Sequence, residues 1–467
     1  MQSDISIQRL KQFPPLMWIL LFGSFITRGS FYMVWPFLAV ILYERFSLSA
    51  TEVGLILSSA AFVSVGVSFI GSALSDKFGR HLMMYGTGLL YIVSFALLAE
   101  ADSVISFIVV ITLCSVASSL WRPLTSALIG DIIENSQTRE LAMQSLYFIV
   151  NVGCAIGPIA GVWLGLTGEQ SSFYITTYAF AVLLVLLFWG FGNQKKKELY
   201  RDVNIGLNSE FTTPPLTPHS QNIDLSYAQE KEQEQEQEQE QEQEQEQEQE
   251  QEQEKFPSSG EDLGKPTFKQ TLNVLKNDKL FQCLIFANVI CMFIYGQMDS
   301  SLVQYLTRAE VPNLLELISS IIFTNAIIII SFQFILLRLM RRQSLITRVK
   351  IGLLLLSASQ FWIAVNPLTL FWGFIGATIV MSLAEAILFP TMNVHIDRIA
   401  PAHLRGAYFG AASIYEFGFA LAPLGGGLIL DYLNGFWLFT FAGALTFIVI
   451  YLYHILENLP RGFTPKA

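Results

Sequence analysis

Residues 104–131 read VISFIVVITLCSVASSLWRPLTSALIGD, with a single charge, Arg122, before the closing Asp131. As a helix rising about 1.5 Å per residue this stretch reaches roughly 40 Å, more than the ~30 Å of a bilayer's hydrocarbon core. The rest of the chain has the same character. Hydrophobic residues make up 52% of its 467 residues, Phe alone occurs 37 times, and charged residues are only 14%. Soluble domains carry about a quarter charged residues. A soluble core could not hide this much apolar surface, so lipid must cover it.

Working outward from 104–131, twelve stretches are long and apolar enough to span. They lie near 16–43, 50–74, 82–99, 104–131, 140–166 and 172–192, then near 279–306, 314–337, 346–365, 368–392, 404–430 and 436–457. Basic residues mark the cytoplasmic side of a membrane protein. One side carries Arg9, Lys11, Lys77, Arg80, Arg139, Lys195, Lys196, Lys197, Arg338, Arg341, Arg342, Arg398, Arg405 and Arg461. The other carries Arg45 and Arg308. Both termini are therefore expected in the cytoplasm. Residues 1–15 are polar and lack a small-residue cleavage site, so the first span reads as retained rather than as a removed signal.

The expected organisation is a short N-terminal segment (1–15), a six-helix bundle (16–192), a cytoplasmic linker (193–278), a second six-helix bundle (279–457) and a tail (458–467). The linker holds a strict Glu-Gln alternation from Glu232 to Glu254. Such a tract cannot bury enough apolar surface to fold as a core, and it reads as a tether. Residues 230–255 contain thirteen Glu and two Lys, which accounts for the formal net charge of −10. The remainder is nearly neutral, and nothing points to nucleic acid.

The two bundles repeat one another. Pro123, Asp131, Arg139, Pro158 and Gly161 recur as Pro390, Asp397, Arg405, Pro423 and Gly426, at separations of 265 to 267 residues. A parallel repeat on this scale is a transporter architecture, with the substrate site between the halves near the midplane.

Two motifs carry a family resemblance. At the end of span two the chain reads Gly71-Ser-Ala-Leu-Ser-Asp76-Lys77-Phe78-Gly79-Arg80-His81. Gly79 permits a tight turn, Asp76 can face a helix N-terminus or a base, and Lys77 and Arg80 hold the loop at the membrane surface. Span five reads Gly153-Cys-Ala-Ile-Gly157-Pro158-Ile-Ala-Gly161. Its small residues let backbones approach closely, and its proline opens the helix ladder. The first motif resembles the signature loop of the major facilitator superfamily, and the second resembles the GxxxGPxxGG motif of its twelve-span drug:proton antiporter branch, with Val162 in place of the last glycine. The resemblance implies an all-α membrane fold of two parallel-repeat six-helix bundles. It implies a gating role for Gly71, Asp76, Lys77, Gly79 and Arg80, and an export direction associated with Gly153, Gly157, Pro158 and Gly161. The second-half loop, Arg338-Leu-Met-Arg341-Arg342, keeps the bases but lacks the acid and the glycine.

Five ionisable residues fall inside spans: Arg28, Arg122, Asp299, Glu385 and Glu416. Charges there are costly and mark function by default. The first four lie on spans one, four, seven and ten, which line the central cavity in the family the chain resembles. Proton coupling needs a group that desolvation can neutralise and a partner can recharge. Arg stays charged, so the expected proton carriers are Glu385 and Asp299, with Glu416 third. Arg28 and Arg122 would hold substrate carboxylates or balance the acids. Tyr32, Trp35, Trp121, Tyr295, Gln297, Tyr305 and Asn325 would complete an aromatic and polar cavity suited to amphipathic ligands.

Cys114, Cys154, Cys283 and Cys291 all lie in apolar segments and form no CxxC, so they read as core residues. No Cys/His set has metal-ligand spacing, no Walker loop appears, and no His pairs with a nucleophile in a catalytic pattern. No cofactor, no metal and no enzymatic activity are expected. The leading expectation is a monomeric proton-coupled exporter in a bacterial inner membrane, carrying drugs, short peptides or siderophores by alternating access. A proton-symport importer of a carboxylate-bearing nutrient is one alternative. A non-transporting membrane sensor is another.

Overall fold

A computed structural model of the chain describes residues 10–133, 135–166, 169–210, 276, 278–400, 408 and 411–458. For 68–78, 122, 136–137, 140, 194–210, 334, 341 and 397 it describes the backbone alone. The Glu-Gln tract, residues 401–407 and both chain ends lie outside the described residues.

Among these, twelve helices are long and apolar enough to cross a membrane. Spans one to six are Pro15–Phe46, Ala50–Val67, Arg80–Glu100, Val104–Ile132, Leu141–Trp163 and Gln170–Asn193. Spans seven to twelve are Lys279–Arg308, Leu314–Leu339, Leu345–Val365, Phe371–Ile396, Ser413–Tyr432 and Gly435–Glu457. The expected spans are all present, and the differences have local causes. The helix of span six continues to Glu210, because the Lys, Glu and Leu that follow the apolar stretch are good helix formers. Hydropathy marks the bilayer edge, not the helix end. Span ten starts at Phe371 rather than 368, since Pro367 precedes it and the Asn366 amide donates to the carbonyls of Pro367 and Leu370, both at 3.1 Å. Span one tightens into a 3-10 turn at Trp35–Phe37 around Pro36. Span seven contains a π-helical turn, Met298–Leu302, which the sequence did not suggest.

Two apolar cores form, one mostly from spans one to six and one from spans seven to twelve. The described residues of both bundles fall in one compact unit. Within each bundle the outer repeat motifs do equivalent work. Span five packs on span one so closely that a Cβ at Gly157 would meet the carbonyl of Gly29, and one at Gly153 would stand 2.9 Å from the Phe25 carbonyl. Span eleven packs the same way on span seven, where a Cβ at Gly418 would meet the Val289 carbonyl. The starts of these helices are tied in parallel fashion too. Thr138 Oγ1 donates to Gln12 Oε1 at 3.2 Å in the first bundle. Tyr408 Oη donates to Asp278 Oδ2 at 2.5 Å in the second, and Asp278 also caps span seven by accepting from the Phe281 amide at 2.9 Å. Between the bundles, span two packs against span eleven and span five against span eight.

Candidate central transport site

Mid-membrane, side chains from both bundles converge. Arg28 is half-buried on span one, with its guanidinium carbon 6.0 Å from the Phe31 ring. It acts electrostatically on Tyr32, Tyr91 and Cys154. Tyr32, one turn along span one, neighbours the Cys154 thiol of span five. Gly153 and Gly157 bring that thiol close, because they bring span five against span one.

From the second bundle come Asp299, Tyr295, Glu385 and Asn325. Tyr295 of span seven lies beside Glu385 of span ten as an electrostatic neighbour, and its ring meets Phe389 edge-on at 4.9 Å. Asn325 of span eight donates to Glu385 Oε2 at 2.7 Å and to Ser382 Oγ at 3.1 Å. Glu385 therefore sits where spans seven, eight and ten meet. Asp299 lies one helical turn beyond Tyr295, within the π-helical turn, and its side chain is exposed. Its electrostatic neighbours include Tyr32 and Cys154 of the first bundle and Glu385 of its own. An exposed carboxylate with such neighbours faces the space between the bundles rather than lipid. The arrangement is one arginine and Tyr32 on the first bundle, and two carboxylates and Tyr295 on the second.

Several other residues named from the sequence pack on neighbouring helices. Trp35 stacks on Phe31 at 5.0 Å and touches Phe95. Trp121 is buried against Tyr91 and Phe180 inside the first bundle. Gln297 is fully buried and donates to the carbonyls of Phe293 and Ala422, which places it in the seam between spans seven and eleven. Tyr305 packs on Phe439 of span twelve at 5.9 Å. Glu416 opens the α-helical part of span eleven. The side chain of Arg122 lies outside the described residues.

In the loop after span two, Gly79 adopts φ +87°, a conformation that favours glycine and turns the chain into span three. Arg80 forms an ion pair with Asp131 at the end of span four. Of Gly71, Asp76 and Lys77 only the backbone is described. Among the described residues no group of three or more His, Cys, Asp and Glu could hold a metal ion.

Sequence reasoning missed four participants. Cys154 was read as core, and only the fold shows it beside Tyr32. Ser382 gave no signal in an apolar span. From the sequence Arg308 is simply a loop charge, and Asp431 belongs to no motif. An acid in the last turn of an otherwise apolar span was the available clue to Asp431.

The chain is similar to known proteins over most of its length. The family model for the Major Facilitator Superfamily matches residues 20–417. An uncharacterized MFS-type transporter of Bacillus subtilis, YqjV, is 24% identical over 91% of this chain and 88% of its own length. A Na(+), Li(+), K(+)/H(+) antiporter of Planococcus maritimus is 23% identical over 94% of this chain and 96% of its own. Among solved structures, a POT family transporter in complex with 5-aminolevulinic acid has a TM-score of 0.67 at 15% identity, covering 95% of this chain and 96% of that one. It shares the fold. Twelve spanning helices in two repeated bundles, the span-two loop and a family match across nearly the whole chain agree: this protein is a membrane transporter belonging to the major facilitator superfamily.

Proposed function

We propose that the protein exports amphipathic small molecules, such as drugs, short peptides or siderophores, across a bacterial inner membrane in exchange for protons. The observation that carries this reading is that Arg28 on the first bundle and the carboxylates Asp299 and Glu385 on the second share neighbours, with Tyr32 feeling both Arg28 and Asp299. Ionisable groups of opposite sign on two bundles can meet and part as the bundles rock. Glu385 and Asp299 are the proton carriers, with Glu416 a third candidate. Arg28, with Arg122, holds an anionic group of the substrate or balances the acids. The span-five glycines and Pro158 support the outward direction through their likeness to the antiporter motif. The basic residues on one side support cytoplasmic termini, with the linker as a tether between the halves of a monomer.

The test is substrate flux in proteoliposomes under an imposed pH gradient. The wild type should move substrate against its gradient when the proton gradient is present and stop with an uncoupler. If Glu385→Gln and Asp299→Asn both keep full gradient-driven transport, the reading is wrong.

A second reading, exchange of a monovalent cation for protons, is favoured by the near full-length likeness to the Planococcus antiporter. The same vesicles separate the two. Proton release evoked by Na⁺, Li⁺ or K⁺ alone supports cation exchange, and release evoked only by organic substrates supports the first reading.

A further inference from the structure

The hydrogen bonds around Glu385 have a fixed polarity. Ser382 Oγ gives its proton to the Thr378 carbonyl at 2.7 Å. It therefore offers only lone pairs to Asn325, 3.1 Å away. An asparagine amide presents two N–H groups at nitrogen and only lone pairs at oxygen. Ser382 thus fixes which end of Asn325 points inward, and that end is the donor. The same nitrogen stands 2.7 Å from Glu385 Oε2. Tyr295 also neighbours the carboxyl, but a hydroxyl can turn to donate or to accept. Asn325 cannot reverse without losing Ser382.

We infer that Asn325 conveys the protonation state of Glu385 to span eight, and through span eight to its seam with span five. The inference rests on reading Glu385 as a proton carrier. When Glu385 is ionised, the Asn325 bond is charge-assisted and about twice as strong as a neutral one. When a proton arrives on Oε1 that assistance is lost. When it arrives on Oε2 it turns that oxygen into a poorer, hydroxyl acceptor, and the bond weakens further. Either way the tie between spans eight and ten loosens. Span eight packs on span ten in its own bundle and on span five across the bundle boundary. A weaker hold on its inner face lets it follow span five, so a local proton event becomes a movement at the seam. Among the described residues the titratable groups acting on Glu385 are Tyr295 and Asp299, both on span seven. Neither lies on span eight. Asn325 is a positioning residue in this scheme and holds no proton itself.

The experiment uses the full chain in proteoliposomes with two readouts: the midpoint of the pH profile of gradient-driven transport, and the distance between spin labels on spans five and eight as pH is varied. The wild type should show a distance change whose midpoint follows the transport profile. Asn325→Leu should move the transport midpoint to higher pH by about one unit, a roughly tenfold tighter hold on the proton, and should abolish the distance change. Ser382→Ala frees the amide to flip and should shift the midpoint in the same direction by less, which keeps the test open if the leucine variant does not fold. A wild-type midpoint together with a wild-type distance change in either variant that folds overturns the inference. If instead Glu385→Gln leaves both readouts at wild-type values, Glu385 is not the carrier and the inference falls with that reading.

Discussion

Asp431, in the last turn of span eleven, accepts the backbone N–H of Thr51 at 2.7 Å on one carboxylate oxygen, and that of Ala50 at 3.0 Å on the other. These are the first amides of span two, which have no partner inside their own helix. Ser49 and Glu52 already form a local cap, with contacts of 2.8 and 3.1 Å. Asp431 completes it from the opposite bundle. Nearby, Arg308 at the end of span seven donates to the Leu48 carbonyl at 2.8 Å and lies 4.6 Å from the Tyr43 ring. Below them the Leu424 amide donates to Ser58 Oγ at 3.0 Å. These ties all stand at the end of the molecule away from the termini, so they hold the bundles together there.

Asp431→Asn removes the charge but keeps the shape. A carboxylate at a helix N-terminus contributes about 0.3–2 kcal/mol, so opening at this end should rise about twofold to thirtyfold. The measurement is the labelling rate of a cysteine placed in the central site by an impermeant reagent added from that side. A labelling rate equal to the parent's would show that the cap carries none of the closure.

Gly157→Val should leave little folded protein. Its side chain would run into the Gly29 carbonyl, and backbone cannot give way as a flexible side chain does. Overpacking typically costs about 1–3 kcal/mol, and a backbone obstruction lies at the upper end. Gly86→Ala is the control, because nothing lies within 4 Å of the added carbon. Thermal unfolding in detergent should separate the two variants by several degrees.

Arg28→Gln should weaken substrates bearing a carboxylate by about tenfold to a hundredfold, the range expected for hydrogen bonds to a charged group. Substrates with no anionic group should bind as before. Equal loss for both classes in a competition assay would assign Arg28 to bundle packing with Tyr32 and Cys154 instead.

The proton-independent part of the fold can be tested at Tyr408. Burial, and then the Asp278 carboxylate beside it, push the Tyr408 hydroxyl well above the ordinary tyrosine range. A group whose pKa is raised on folding stabilises the fold below its unfolded pKa and loses that contribution only as pH rises through the folded value. The contribution is therefore constant between about pH 6 and 9 and fades in strong alkali. Tyr408→Phe strands a carboxylate oxygen and should cost about 1–3 kcal/mol across that whole range. A penalty that varied between those pH values would mean that some other group titrates with it.

Much of this was legible in the sequence, and the limits have physical causes. Hydropathy sets span length, so all twelve spans could be read, and the repeat of Pro123 and Pro390 divided them into two bundles. Arg28, Asp299 and Glu385 stood out because charge is expensive in lipid. What the sequence could not carry was pairing. Asn325 and Glu385 are 60 residues apart, and Thr51 and Asp431 are 380 apart. Neither separation has a period or a motif. Trp121 and Gln297 show the converse limit, for their residue types suit a cavity but their helix faces turn into packing seams. Helix phase decides that, and a single extra residue changes phase.

Span seven makes such a change at Met298–Leu302. A π-helical turn carries one more residue than an α-helical one, so everything after it is rotated by about 100° from where uninterrupted winding would leave it. The span is in effect two helices on one axis, set out of register. Tyr295 on the near segment reaches Glu385, and Arg308 on the far segment reaches Leu48 in the other bundle. The central site and the far closure thus lie on one rod but are aimed independently, and Asp299 sits at the joint between them.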